Sequence, residues 1–140
     1  MENSQEQLAA TLLELDQVVR RLRRDCPWDR EQSVEDIVTH TLEETFELID
    51  AAHAASGDEV TGELGDLLFH IFFLARLCEE NGCGDLTGIT RGIIDNLMRR
   101  PPHVYGDPEA HTAAAVVARW DSSKRDQAAR EGIFPAVPSS

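Results

Sequence analysis

Glu44 and Glu47 stand three residues apart in this chain, and Glu63 and Asp66 repeat that spacing. On an α-helix, positions i and i+3 share a face, so each pair would project its two carboxylates to one side. If the two segments lie antiparallel, four carboxylates converge. Residues 31 to 75 hold eleven carboxylates (Glu31, Glu35, Asp36, Glu43, Glu44, Glu47, Asp50, Asp58, Glu59, Glu63 and Asp66), yet no Lys or Arg lies between Arg30 and Arg76. The natural counter-charge is a divalent cation, and ligation by carboxylate oxygen suits Mg²⁺, with Mn²⁺ as a substitute, better than Zn²⁺. A solvated helix face accounts for Glu35, Asp36 and Glu59, the last two in first turns favoured by the helix dipole. It does not account for Glu63 and Asp66, which Leu64, Leu67, Leu68 and Phe69 surround. A di-iron carboxylate bundle would need two Glu-x-x-His motifs, and the sequence has none; Asp50-x-x-His53 is the nearest approach. His40 and His70 read as packed or hydrogen-bonded histidines rather than ligands.

The elements that must position these groups are helices. Leu8, Leu12, Leu15, Val19 and Leu22 alternate steps of four and three, the stripe of an amphipathic helix from about Ser4 to Arg24. Pro27 stops it, and Cys26 to Gln32 is expected as a loop. Ser33 and Asp36 form a capping box that opens a second helix reaching about Ala55. Ser56-Gly57 is the expected breaker, with Asp58 capping a third helix that runs to Asn81-Gly82. That third helix is apolar nearly all round, which makes it the centre of the fold or a subunit interface. Phe69, Phe72 and Phe73 diverge by about 100° per step, so at least one is expected to meet another subunit. Leu86, Ile89, Ile93 and Leu97 mark a fourth helix ending at Pro101-Pro102, and a last helix spans about Thr112 to Glu131. The expectation is one all-α domain over 1–131 with a four-helix bundle at its centre, then an extended tail over 132–140.

Composition narrows the functions. Thirteen Lys and Arg against 26 Asp and Glu give a net charge of −13, which disfavours nucleic acid and anionic membrane surfaces as partners. A small phosphorylated substrate is compatible with that field if a cation screens it. The polar opening residues and the lack of an apolar run of roughly 20 residues suggest a cytoplasmic protein. Cys26, Cys78 and Cys83 are odd in number and lack Cys-x-x-Cys spacing, so reduced thiols are expected.

Particular stretches resemble a known family. Cys26-Pro27-Trp28-Asp29 with Gln32, Leu42-Glu43-Glu44-Thr45-Phe46-Glu47, and Gly62-Glu63-Leu64-Gly65-Asp66-Leu67-Leu68 are similar, in order and spacing, to the MazG family of all-α nucleoside triphosphate pyrophosphohydrolases. Arg99-Arg100-Pro101-Pro102-His103-Val104-Tyr105 and Ala118-Arg119-Trp120 extend the likeness, which covers roughly Leu12 to Pro138. The resemblance implies hydrolysis of NTP or dNTP to a nucleoside monophosphate and pyrophosphate with Mg²⁺. It assigns the metal to Glu44, Glu47, Glu63 and Asp66, and gives Glu43 a part in orienting or deprotonating water. It also implies a homodimer or a dimer of dimers.

Other residues fit a nucleotide. Trp28 could stack on a base or close a small core, and Asp29 and Gln32 could hydrogen-bond base or sugar. Arg99 and Arg100 suit phosphate oxygens, and equally suit a helix C-terminus. The chain departs from the family pattern at Asn96, usually Lys, and Pro101, usually His. It resembles the first domain of two-domain members, so the alternative is a catalytically weak or inactive module serving dimerisation or regulation.

Overall fold

The structure, a computed structural model, describes residues 3–100. Five helices and no strand occur among them: α1 (Ser4–Asp25), α2 (Pro27–Arg30), α3 (Val34–His53), α4 (Gly57–Glu80) and α5 (Leu86–Arg99). The fold is all-α. The chain divides into two compact units, Met1–Ile89 and Thr90–Ser140, and the division falls within α5. The helix expected over 112–131 and the tail over 132–140 lie outside the described residues.

The first unit is built by capping and by one apolar cluster. Asn3 accepts from the Glu6 N–H at 2.8 Å to open α1. Cys26 to Gln32, expected as a loop, contains the one-turn helix α2, because Pro27 at its first position supplies the right φ and needs no donor there. The capping box at α3 is present in full: Ser33 Oγ accepts from the Asp36 N–H at 3.2 Å, and Asp36 accepts from the Ser33 N–H at 2.9 Å. Those bonds hold the Asp36 carboxyl below its usual range.

The turn between α3 and α4 corrects the expected breaker. Ala55, not Gly57, takes the left-handed conformation, with φ 55°. Its N–H bonds to the Ala52 carbonyl at 3.2 Å, and the Ser56 N–H reaches the Ala51 carbonyl at 3.4 Å, the paired bonds of a Schellman ending. Ser56 rather than Asp58 then caps α4, accepting from the Glu59 N–H at 3.4 Å. So short a turn makes α3 and α4 antiparallel, and they pack along each other.

Val19 of α1, Ile37 of α3, and Phe72, Phe73 and Leu77 of α4 form the core, with Leu15, Phe69, Leu74 and Leu86 packed against it. Four helices thus contribute to one cluster. Of the three phenylalanines of α4, Phe73 is fully buried and Phe72 is buried within the chain, while Phe69 is half-buried with its ring 5.9 Å from that of Phe73. The large exposed apolar residues of α4 are Leu64, Leu68 and Ile71, spaced along its middle at helical intervals. The cysteines are corrected too, since Cys78 and Cys83 are joined by a disulfide and Cys26 alone is free.

Candidate functional site

Helix geometry brings the acidic pairs together. On α3, Glu44 and Glu47 lie within one turn; on α4, Glu63 and Asp66 do likewise, and the tight turn at Ala55 sets the two helices side by side. One carboxylate oxygen from each of Glu44, Glu63 and Asp66 falls within 4.8 Å of the others. Glu44 and Glu63 are half-buried, whereas Asp66 and Glu47 are exposed. Glu44 Oε2 and Glu63 Oε2 are buried without a hydrogen-bond partner, and none of the ion pairs among the described residues includes any of the four carboxylates.

Packing like charges this way favours protonation. The Glu44 carboxyl is pushed up to about 8, first because the Glu63 carboxyl lies against it, then by burial and the neighbouring Glu47 and Asp66. Glu47 is raised for the same leading reason, the Glu63 carboxyl. A divalent cation would remove both the repulsion and the two unpartnered oxygens, and all-oxygen donors suit Mg²⁺ or Mn²⁺. Glu44, Glu63 and Asp66 are therefore the residues that could hold one, with Glu47 beside them. A Cβ added at Gly62 or Gly65, the glycines flanking Glu63 and Asp66, would meet nothing within 4 Å, so the strip of α4 next to the carboxylates is open.

Glu43, one position and about 100° from Glu44, points elsewhere. Its Oε2 lies 3.5 Å from His40 Nδ1, and it does not join the three-carboxylate group. His40 in turn stands 5.9 Å from the Trp28 ring and 6.4 Å from the His70 ring. Both histidines are half-buried; burial and then the His40 charge lower the His70 pKa, and His70 Nδ1 is buried without a partner among the described residues.

Trp28 is 55% exposed, as a stacking surface requires. Asp29 is buried at 6%, and the Gln32 amide donates to the Trp28 carbonyl at 3.1 Å, so both sit in the frame of the α2 segment. Arg99 ends α5 exposed, and the Arg100 side chain is buried while its N–H bonds to the Asn96 carbonyl at 3.1 Å; these belong to the second unit. Pro101 lies outside the described residues.

Sequence reasoning passed over Arg23. Its Nη1 donates to the carbonyls of Asp29, Arg30 and Gln32 at 2.6, 2.8 and 3.2 Å, and its Nε to Glu80 Oε2 at 3.0 Å. The guanidinium also stands 5.9 Å from the Phe73 ring centroid. The signal in the sequence was an arginine in the last turn of a helix just ahead of a proline-opened segment, where bare carbonyls need donors.

The site is thus set in an all-α fold in which two antiparallel helices turn three carboxylates to one point. The model of the MazG nucleotide pyrophosphohydrolase domain matches residues 32–105, and the chain belongs to that family. It is 42% identical over 126 residues to the nucleoside triphosphate pyrophosphohydrolase of Escherichia coli K12, which covers 90% of this chain and 48% of that protein. To the nucleoside triphosphate pyrophosphohydrolase/pyrophosphatase MazG of Thermotoga maritima it is 32% identical over 134 residues, 90% of this chain and 51% of that one. The chain thus spans about half the length of these relatives. The crystal structure of a mazG-related protein from Thermotoga maritima superposes with a TM-score of 0.66 at 20% identity, over 80% of this chain and 97% of that one, which establishes likeness of fold. No helix among the described residues is long and apolar enough to cross a membrane.

Proposed function

We propose that this chain hydrolyses nucleoside triphosphates, NTP or dNTP, to a nucleoside monophosphate and pyrophosphate with Mg²⁺ held by Glu44, Glu47, Glu63 and Asp66. The observation that carries the reading is the convergence of Glu44, Glu63 and Asp66 oxygens within 4.8 Å with two of the oxygens buried and unpartnered. Family membership and the names of the relatives support it. When bound, the metal neutralises triphosphate charge and lowers the pKa of coordinated water. The chain's own part is to converge these carboxylates, whose mutual repulsion favours protonation until a cation offsets it, with Glu43, on the adjoining side of α3, as the carboxylate that would orient an attacking water. His40, 3.5 Å from Glu43, would hold that carboxylate in place. Trp28 offers its exposed ring to the base; the guanidinium groups of Arg99 and Arg100 are of the type that matches phosphate oxygens. Such a substrate goes with a cytoplasmic protein.

The reading includes a homodimer or a dimer of dimers. Leu64, Leu68 and Ile71 on α4 and Val38, Leu42, Phe46 and Ile49 on α3 are exposed at helical spacing, and a second copy would cover them. The test of function is incubation of the full chain with each common triphosphate, with and without Mg²⁺, and analysis of the phosphate released. Pyrophosphate appearing only with Mg²⁺ supports the proposal. Absence of turnover with every triphosphate favours the assembly module to which Asn96 and Pro101 point.

A further inference from the structure

The C-terminal end of α4 holds two cysteines in a turn that chemistry can lock. Gly82, with φ 75°, donates its N–H to the Glu79 carbonyl at 3.2 Å, and Cys83 donates to the Cys78 carbonyl at 3.0 Å. These are the paired bonds of a Schellman ending, which folds its first and last residues against each other. Those residues are Cys78 and Cys83, whose Cα atoms stand 5.1 Å apart, within the span of a disulfide, and whose sulfurs are bonded. The backbone turn itself therefore keeps the two thiols within bonding reach. Cys83 is exposed and Cys78 half-buried, so a reagent in solution meets Cys83 first.

The same turn anchors the segment that carries Trp28. Glu79 and Glu80, between the cysteines, pair with Arg20 at 2.7 Å and Arg23 at 3.0 Å on α1. Arg23 then holds the Asp29, Arg30 and Gln32 carbonyls. We propose that Cys78 and Cys83 form a reversible thiol–disulfide switch: the disulfide fixes the last turn of α4 and, through Glu80 and Arg23, the α2 segment, whereas the dithiol lets both loosen. The oxidant is a low-molecular-weight disulfide of the glutathione type. The Cys83 thiolate attacks one of its sulfurs, breaking that S–S bond and expelling one thiolate. The Cys78 thiolate then attacks the Cys83 sulfur of the mixed disulfide and expels the second. Two cysteine thiols are oxidised, one external disulfide is reduced to two thiols, and the two cysteine protons end on the released thiols. The proposal is independent of the hydrolytic reading, since none of its readouts is activity.

The full chain is equilibrated with oxidised glutathione or with dithiothreitol, alkylated with iodoacetamide and weighed by mass spectrometry, while its Tm and the hydrogen exchange of residues 27–32 are followed. Alkylation at Cys26 alone after oxidation and at all three cysteines after reduction is the expected result. Reduction should lower Tm by about 5–10 °C, as expected for opening a short closed loop, and speed exchange over residues 27–32 severalfold. Cys83→Ser should show the reduced Tm and fast exchange under both conditions. Alkylation at all three sites after oxidation, or a bond that dithiothreitol leaves intact, overturns the switch. A Tm shift with unchanged exchange over 27–32 overturns the link to the α2 segment, and Arg23→Lys restoring equal exchange in both states would support it.

Discussion

Glu63 is the carboxylate on which the acidic group turns. It is the leading cause of the raised pKa of both Glu44 and Glu47, and its own Oε2 is buried without a partner. Replacing it with an amide removes a charge and adds a donor. Glu63→Gln should therefore bring the Glu44 titration down from about 8 toward its ordinary 4.5, a change that side-chain carboxyl NMR reads directly. The variant should stay folded, with a metal-free Tm at or above that of the parent. Glu63→Gln and Asp66→Asn should each lower Mg²⁺-dependent turnover by about two orders of magnitude or more, the scale on which loss of a single electrostatic stabiliser acts. Near-normal turnover in either would remove that residue from the proposed ligand set. These residues could be read in the sequence because i, i+3 spacing fixes which side chains share a helix face. The pairing of Glu43 with His40 has the same i, i+3 spacing, so spacing alone did not tell that Glu43 would turn to His40 and not join the acidic group.

At the scale of elements, chain ends and their donors decide the geometry. Ala55 occupies a left-handed position that glycine fills without steric cost. Ala55→Gly should raise stability by about 0.5–1 kcal/mol, the relief at φ above zero outweighing the added freedom of the unfolded chain; urea denaturation measures it, and a loss would mean that the turn is held by something other than its backbone. Arg23 joins α1, the α2 segment and the end of α4, with its side chain 18% exposed. Arg23→Ala leaves three carbonyls and a carboxylate without their donor and should cost about 2–4 kcal/mol in the same assay. The capping box at Ser33 and Asp36 was legible because its two bonds are local. The α3–α4 turn lies two residues before Gly57 because α3 ends at His53, short of the expected Ala55, and the N–H groups of Ala55 and Ser56 close the helix there. The Cys78–Cys83 bond escaped a reading based on even counts and Cys-x-x-Cys spacing; the helix ending at Gly82 was the feature that placed the two residues together.

At the scale of the molecule, a chain of net charge −13 exposes apolar stripes on α3 and α4. The proposed second copy would cover them, and because Phe73 belongs to the subunit core, Leu68→Glu and Ile71→Glu are the probes of an interface. Sedimentation should give at least twice 15.6 kDa for the parent and a folded species near that mass for the variants; a monomeric parent would refute the dimer. Charge also sets the pH response of the metal-free protein. Glu44 titrates at about 8 when folded and near 4.5 when unfolded, so between these values the folded chain holds a proton that the unfolded chain has released, and stability falls as pH rises. Glu47, raised for the same cause, acts in the same direction. His70 acts oppositely: its lowered pKa favours the neutral ring in the fold, so stability is lost as pH falls below about 6.5. The two trends overlap below about 6.5, and above it the carboxylates act alone. The metal-free Tm should accordingly fall by about 5 °C from pH 6.5 to pH 8. Mg²⁺ should reverse that slope, since a cation binds the ionised carboxylates and competes with the proton, adding more stability at pH 8 than at pH 6.5. A metal-free Tm that rises across this window would show that Glu44 is already ionised beside Glu63, and a Mg²⁺ effect independent of pH would place the ion elsewhere.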